Sequence, residues 1–338
     1  MIVEAVTRLM ARNDLSRDET RAVMNEIVDG KASAAQIGAF LAALAVKGET
    51  AEELTGAALV MRERAERIRV PRDVFIDTCG TGGDGQNTFN ISTTVAFVAA
   101  GAGVAVAKHG NRRVSSQCGS ADVLAALGVE VDLPPDKVER CVAEAGIGFL
   151  FAARLHPAFG AVASVRRELG VRTLFNLLGP LVNPAGARHQ VLGVFAAKWV
   201  PVVGRVLADL GARHAFVVHG DGLDEISVSG ETQVCEVTEG RVHDFTLTPE
   251  ALGLGRHPRG ALTGGDPAQN ARILRDVLSG QRGGPRDAVL ANAAAALVVG
   301  GAAVTLEAGV KRAAESIDSG AAADALARLV RISREGLA

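Results

Sequence analysis

Over the first 70 residues the apolar positions recur with a helical period. Ile37, Phe40, Leu41 and Leu44 stand at i, i+3, i+4 and i+7, the stripe of an amphipathic helix. Three capping boxes, Ser16-x-x-Glu19, Ser33-x-x-Gln36 and Thr50-x-x-Glu53, mark helix starts. Gly30 and Gly48 stand where a left-handed C-cap belongs. With Met1 to Arg12 as a leading helix, the stretch predicts a helical subdomain. Its apolar faces exceed what four short helices need for one another, which leaves surface for a subunit contact.

From Pro71 the pattern changes. Short apolar or β-branched runs now alternate with helical stretches: Val74 to Ile76, Val104 to Ala107, Gly148 to Phe151, Gln190 to Phe195 and His214 to His219. That alternation predicts a mainly parallel sheet covered by helices. Val165 to Gly170 and then Thr173 to Pro180 read as helix, turn and short helix, and return to the helical subdomain. The fold class expected is α/β, a small N-terminal helical domain plus a larger α/β domain with a mainly parallel central sheet. The boundaries expected are 1–70 for the helical domain, rejoined by about 165–187, and 71–164 with 188–338 for the α/β domain. Thr232 to Leu247 predicts a hairpin turning at Glu239-Gly240. Asp266-Pro267 and Gly284-Pro285 mark helix starts in the last third, where Ala288 to Val299 and Ala321 to Ile332 read as packing helices.

Composition narrows the class. The chain has 338 residues, 48% of them hydrophobic, long enough for two domains sharing a large core. No uncharged apolar run is long enough for a membrane span, and Met1-Ile2-Val3-Glu4 lacks a signal-peptide pattern, so a cytoplasmic protein is expected. A net charge of −2 argues against a nucleic-acid partner. The four cysteines are scattered, with no C-x-x-C to suggest a zinc site or a disulfide framework.

The chemistry collects at three predicted strand ends, where open parallel sheets bind ligands. The first is Asp77 to Thr93, with Gly80, Gly82, Gly83 and Gly85 ahead of an Ala-rich helix capped by Ser92 or Thr93. Strand, glycine loop and helix N-terminus together form an anion site. A P-loop is excluded because no lysine lies in the stretch. A dinucleotide site fits poorly because Asp84 would repel a pyrophosphate unless a cation lay between them. Thr88, Asn90, Ser92 and Thr93 suit phosphate oxygens and a hydrated metal. The second strand end, Lys108-His109-Gly110-Asn111-Arg112-Arg113-Val114-Ser115-Ser116-Gln117-Cys118-Gly119-Ser120, offers cations, hydroxyls and two glycines to phosphates. The third ends in Asp224-Glu225, suited to Mg²⁺, with Asp221 as a turn residue. His109 stands at a strand end and is a candidate ligand contact, whereas His156 before Pro157 reads as structural. No Ser/His/Asp or Cys/His arrangement supports covalent catalysis.

The strings GTGGDGQNTFNIST, KHGNRRVSSQCGSADVLAALG, VRRELGVRTLFNLLGPLVNP and HGDGLDEIS closely resemble the anthranilate phosphoribosyltransferase family, in order and over nearly the whole chain. The resemblance implies a Mg²⁺-dependent homodimer joined through the helical domain. Such an enzyme transfers the phosphoribosyl group of 5-phosphoribosyl pyrophosphate to the amine of anthranilate in tryptophan biosynthesis. It implies that Gly80, Gly83, Asp84, Thr88, Asn90, Ile91, Ser92 and Thr93 hold the phosphoribosyl pyrophosphate. Lys108, His109, Gly110, Asn111, Arg112, Arg113, Val114, Ser115, Ser116 and Ser120 complete that cradle. Gly80, Asn111 and Arg166 would meet anthranilate, Arg166 facing its carboxylate. Ser92 would reach one Mg²⁺ and Asp224 with Glu225 a second. Catalysis would be electrostatic, with Lys108 and His109 as candidates for a direct part. The alternatives are a pyrimidine-nucleoside phosphorylase-like enzyme, which has no use for paired magnesium carboxylates, and a non-catalytic nucleic-acid-binding relative, which would need a basic face.

Overall fold

The computed structural model describes residues 1–113 and 117–336. Four helices open the chain: α1 (Ile2–Met10), α2 (Arg17–Val28), α3 (Ala34–Lys47) and α4 (Ala51–Glu63). All three predicted capping boxes close in both directions, each side chain satisfying a backbone amide that the helix start leaves free. Gly30 turns with φ 70°. Gly48 departs from the expected left-handed cap, with φ 92° and ψ 126°, and its carbonyl accepts from the Lys47 ammonium at 2.8 Å.

Among the described residues seven strands form one sheet: β1 (Phe75–Gly80), β2 (Ala105–Gly110), β3 (Ile147–Phe151), β4 (His189–Gly193), β5 (His214–Gly220), β6 (Thr232–Thr238) and β7 (Arg241–Leu247). Their order is β3-β2-β1-β4-β5-β6-β7. The first five run parallel, and β6 and β7 add an antiparallel hairpin. That hairpin turns at Glu239 (φ 46°) and Gly240 (φ 79°), the left-handed pair that a two-residue turn needs. Strand order reverses between β1 and β4, which opens a crevice at their carboxyl ends.

The remaining helices are α5 (Ile91–Gly101), α6 (Ser120–Leu127), α7 (Pro135–Ala145), α8 (Ala152–Leu155), α9 (Gly160–Leu169), α10 (Phe175–Leu178), α11 (Trp199–Asp209), α12 (Pro267–Leu278), α13 (Gly284–Val299), α14 (Leu306–Asp318) and α15 (Ala321–Arg334). They divide into two cores by the period-two alternation of the strands. Phe216 and Val218 face one core with α5, α13 and α15. Ala215 and Val217 face the other, with α11 and the N-terminal helices. Val162 and Val165 of α9, with Phe175, Leu177 and Leu178 of α10, join this second core.

Two local expectations are corrected. β1 continues through Gly80, so Asp77 to Gly80 are strand and the open loop begins at Thr81. Helix α5 begins at Ile91 with Asn90 as its cap, rather than at Ser92 or Thr93. Phe89, held by the Leu262 carbonyl at 3.0 Å, and buried Ile91 fix the chain earlier than the hydroxyls would.

Candidate active site

The loop from Thr81 to Asn90 turns through Gly82, Gly83 and Gly85 with φ of 63°, 76° and 77°, which only glycine adopts without strain. It delivers the chain to the N-terminus of α5. Asn90 holds the N-cap position of that helix without a side-chain capping bond: its amide donates to the Cys118 carbonyl at 3.2 Å and its oxygen accepts from Asn270 at 2.9 Å. In the first turn the Ser92 amide bonds the Glu225 carboxylate at 3.2 Å, and the helix start keeps the partial positive charge that suits an anion. The Thr93 hydroxyl is buried there without a partner.

On the neighbouring strand Lys108 is buried, its ammonium donating to the Thr78 carbonyl and, at 3.2 Å, to the Ser92 hydroxyl. Burial pushes its pKa down. Arg112 and Arg113 follow in a loop organised by Asp122, which sequence reasoning missed. The Asp122 carboxylate accepts from the amides of Arg113 (2.8 Å) and Gly119 (3.0 Å) and pairs with the Arg112 guanidinium at 3.4 Å. Ser120 donates to the Asn111 carbonyl at 3.3 Å and, with Asn111 and Gly110, lines the same pocket. Val114, Ser115 and Ser116 lie outside the described residues.

Asp224 and Glu225 close the third side. Asp224 accepts the Gly82 amide at 2.7 Å, and Glu225 accepts the Ser92 amide at 3.2 Å. Close approach demands glycines opposite: a Cβ on Gly193 would stand 1.6 Å from the Asp224 carbonyl oxygen. Asn292 holds the loop from below, bonding both the amide and carbonyl of Ile226 at 2.8 Å. Loss of solvation, and then the neighbouring Asp84, push the Asp224 carboxyl up to about 7. Loss of solvation, and then Asp224, push Glu225 well above the usual carboxylate range. Asp221, with φ 51° and an ion pair to Arg259 at 2.5 Å, is the turn residue expected.

Crowded carboxylates whose charge is poorly compensated, beside the Ser92 hydroxyl, are a hard-oxygen donor set that fits Mg²⁺. Among the described residues no group of three or more His, Cys, Asp and Glu side chains converges into a preformed metal cage. A pair of carboxylates that leaves the other positions to water and phosphate oxygens suits Mg²⁺ in particular.

The anion pocket, about 250 Å³, contains Gly80, Gly83, Asp84, Thr88, Asn90, Ile91, Ser92, Thr93, Lys108, Arg113, Asp224 and Glu225. It opens into a second pocket of about 480 Å³, sharing Gly80, Thr81, His109, Gly110 and Asn111 with it. The second pocket is largely apolar: Ala152, Phe159, Ala163, Phe175 and Pro180 line it beside Arg166. Arg166 is half-buried, its guanidinium 5.4 Å from the Phe175 ring centroid, and burial lowers its pKa. Arg167 is exposed, as the 100° between successive helical residues requires.

His156, expected to be structural, also lines this pocket. Its ring centroid lies 5.0 Å from that of His109, and neither of its nitrogens has a partner. Burial, with each other's company for His109, pushes His109 down to about 3 and His156 to about 4, so both are neutral at pH 7. The His109 Nδ1 faces the Gly179 carbonyl at 3.2 Å, which makes Nδ1 the donor and leaves Nε2 as an unpartnered acceptor. Phe159 and Phe175 carried no signal in the sequence pattern, since apolar residues in a cavity wall read like core, and His156 was read as structural from its place before Pro157.

Two family models match the chain: the helical bundle domain of a glycosyl transferase family over residues 3–65, and its a/b domain over residues 72–323. An anthranilate phosphoribosyltransferase of Anaeromyxobacter sp. (strain Fw109-5) is 67% identical over 336 residues, covering 99% of this chain and all of that protein. One from Myxococcus xanthus is 56% identical over 97% of each chain. The crystal structure of anthranilate phosphoribosyltransferase from Thermus thermophilus superposes with a TM-score of 0.92 at 45% identity, covering 98% of this chain and 99% of that one. The Saccharomyces cerevisiae enzyme, solved in complex with phosphoribosyl pyrophosphate and Mg, gives 0.88 at 30% identity, over 98% and 97%.

Proposed function

The chain belongs to the anthranilate phosphoribosyltransferase branch of this glycosyl transferase family, and from that premise we propose how its own residues carry the reaction. It is a transferase that moves the phosphoribosyl group of 5-phosphoribosyl pyrophosphate to the amine of anthranilate, giving N-(5-phosphoribosyl)anthranilate and pyrophosphate, a step of tryptophan biosynthesis. One observation carries the assignment of roles: an apolar pocket with a half-buried arginine opens directly into an anion pocket with paired carboxylates.

Anthranilate lies in the apolar pocket, its carboxylate on Arg166 and its ring against Phe175. Its amine points toward the shared wall at Gly80, His109 and Asn111. Phosphoribosyl pyrophosphate occupies the anion pocket, its phosphates on the glycine-loop amides, near the start of α5, and on Arg112 and Arg113. Asp224, Glu225 and Ser92 would hold Mg²⁺, which would supply positive charge to the leaving pyrophosphate; we propose two such ions. The bond from the anomeric carbon to pyrophosphate breaks as the carbon–nitrogen bond forms, so the chain's work is positioning and charge complementarity. The amine is uncharged at pH 7 and needs no strong base before attack. The lone pair of His109 Nε2 can orient the amine or receive its proton as the product leaves.

We further infer a cytoplasmic homodimer joined through the N-terminal helices, whose outer surface exposes Met1, Val3, Met10 and Val46. A mass-spectrometric assay with phosphoribosyl pyrophosphate, Mg²⁺ and anthranilate tests the reading. Formation of the phosphoribosyl adduct only when all three are present supports it. Turnover of a nucleoside with phosphate instead would overturn it.

A further inference from the structure

Arg172 stands in the turn between α9 and α10, just past the left-handed Gly170 (φ 62°). It is exposed, and among the described residues it has no carboxylate partner. Its guanidinium instead lies 4.5 Å from the ring centroid of Phe195 and donates a hydrogen bond to the Gly83 carbonyl. Both contacts lead into the anion pocket. Gly83 is the middle of the glycine loop, and the Phe195 amide donates to the Thr81 hydroxyl at 2.9 Å. Thr81 in turn is fastened to β4 through its own amide and the Gly193 carbonyl, at 2.9 Å.

The other end of the same unit belongs to the apolar pocket. Arg166 lies on α9 upstream of the turn, and Phe175 and Asn176 lie on α10 downstream. Asn176 also fixes the turn itself, its side-chain oxygen accepting the Thr173 amide at 2.9 Å. A planar cation stacked on one ring and directed at one carbonyl holds a defined geometry, which a flexible ammonium does not.

Resting on the functional reading above, we propose that Arg172 is a positioning residue that couples the two pockets. An occupant that settles α9 and Arg166 also sets where Gly83, and with it the row of loop amides, stands. The two ligands therefore bind cooperatively, each changing the other's affinity by the same factor.

The test uses a pair that cannot react, anthranilate and pyrophosphate with Mg²⁺, followed by titration calorimetry on the full chain. Each ligand alone binds the wild type, and saturating anthranilate tightens pyrophosphate by about 5-fold or more. Arg172→Ala brings that factor below about 2-fold while the thermal midpoint stays put, and Phe195→Leu acts in the same direction. Arg172→Lys restores part of it, because a charged donor remains without the planar stack. Arg167→Ala, on the exposed face of α9, leaves it unchanged. A wild type without coupling, or an Arg172→Ala variant with the full factor, overturns the proposal. Failure of either ligand to bind the wild type alone would overturn the functional reading itself, and this inference with it.

Discussion

Asp224→Asn separates the cost of the proposed metal site from its use. The Asp224 carboxyl titrates near 7 rather than 3.8 because it is short of solvent and stands beside Asp84. About 3 pH units at 1.36 kcal/mol each give about 4 kcal/mol for holding it ionised at neutral pH. Water reaches the group through the pocket, so roughly half, about 2 kcal/mol, is the expected destabilisation. The sign is definite. Below pH ~4 folded and unfolded chains both carry the proton; the penalty grows between about pH 4 and 7 and is complete above. Asparagine keeps an acceptor for the Gly82 amide, at 2.7 Å in the wild type, and removes the charge. In chelator at pH 8 the variant should therefore melt about 3 °C above the wild type, and at pH 4.5 by much less. Saturating Mg²⁺ should raise the wild-type midpoint more than the variant's, by mass action. Turnover should fall about 10²-fold or more. A variant that melts no higher at pH 8, or gains equally at both pH values, would refute the electrostatic account. Equal stabilisation of both proteins by Mg²⁺ would remove Asp224 from the metal.

Arg166→Ala should raise the KM for anthranilate by about 10- to 150-fold, the value of roughly 1.5–3 kcal/mol for a charged hydrogen-bond pair, with little change in the KM for phosphoribosyl pyrophosphate. Steady-state kinetics of Arg167→Ala should match the wild type, and the reverse ranking of the two arginines would refute the pocket assignment. Gly193→Ala places a methyl on the Asp224 backbone; it should cost about 1–3 kcal/mol in denaturant unfolding and cut activity with it. A fully active, fully stable variant would show that the approach of the two strand ends is not required. Sedimentation at micromolar concentration should show a dimer, and Met10→Glu with Val46→Glu should yield monomers that keep their helical circular dichroism; a monomeric wild type would end that claim.

Local rules were enough for much of this molecule. Capping boxes, glycine punctuation and apolar period act within a few residues, so the helical bundle, all five parallel strands and the Glu239-Gly240 turn were legible. The three loops rich in glycines, hydroxyls, cations and carboxylates also stood out in the sequence, because such residues have few other reasons to cluster. Contacts between distant segments were not legible. That the helix after the glycine loop starts at Ile91, with Asn90 at the N-cap position, goes with contacts to the Leu262 carbonyl and to Asn270, far along the chain. The support of Asn292 beneath the acidic loop and of Asp122 beneath the basic one comes from residues with no signature of their own. The apolar pocket was hidden for a related reason. Phe159 and Phe175 look like core residues in any window and His156 before Pro157 like a structural one, and only the packing of α8, α9 and α10 against the strand ends makes them a wall instead. The bond from Arg172 to Gly83 exists because folding brings the ends of two separate units within reach, a fact about space that no spacing along the chain encodes.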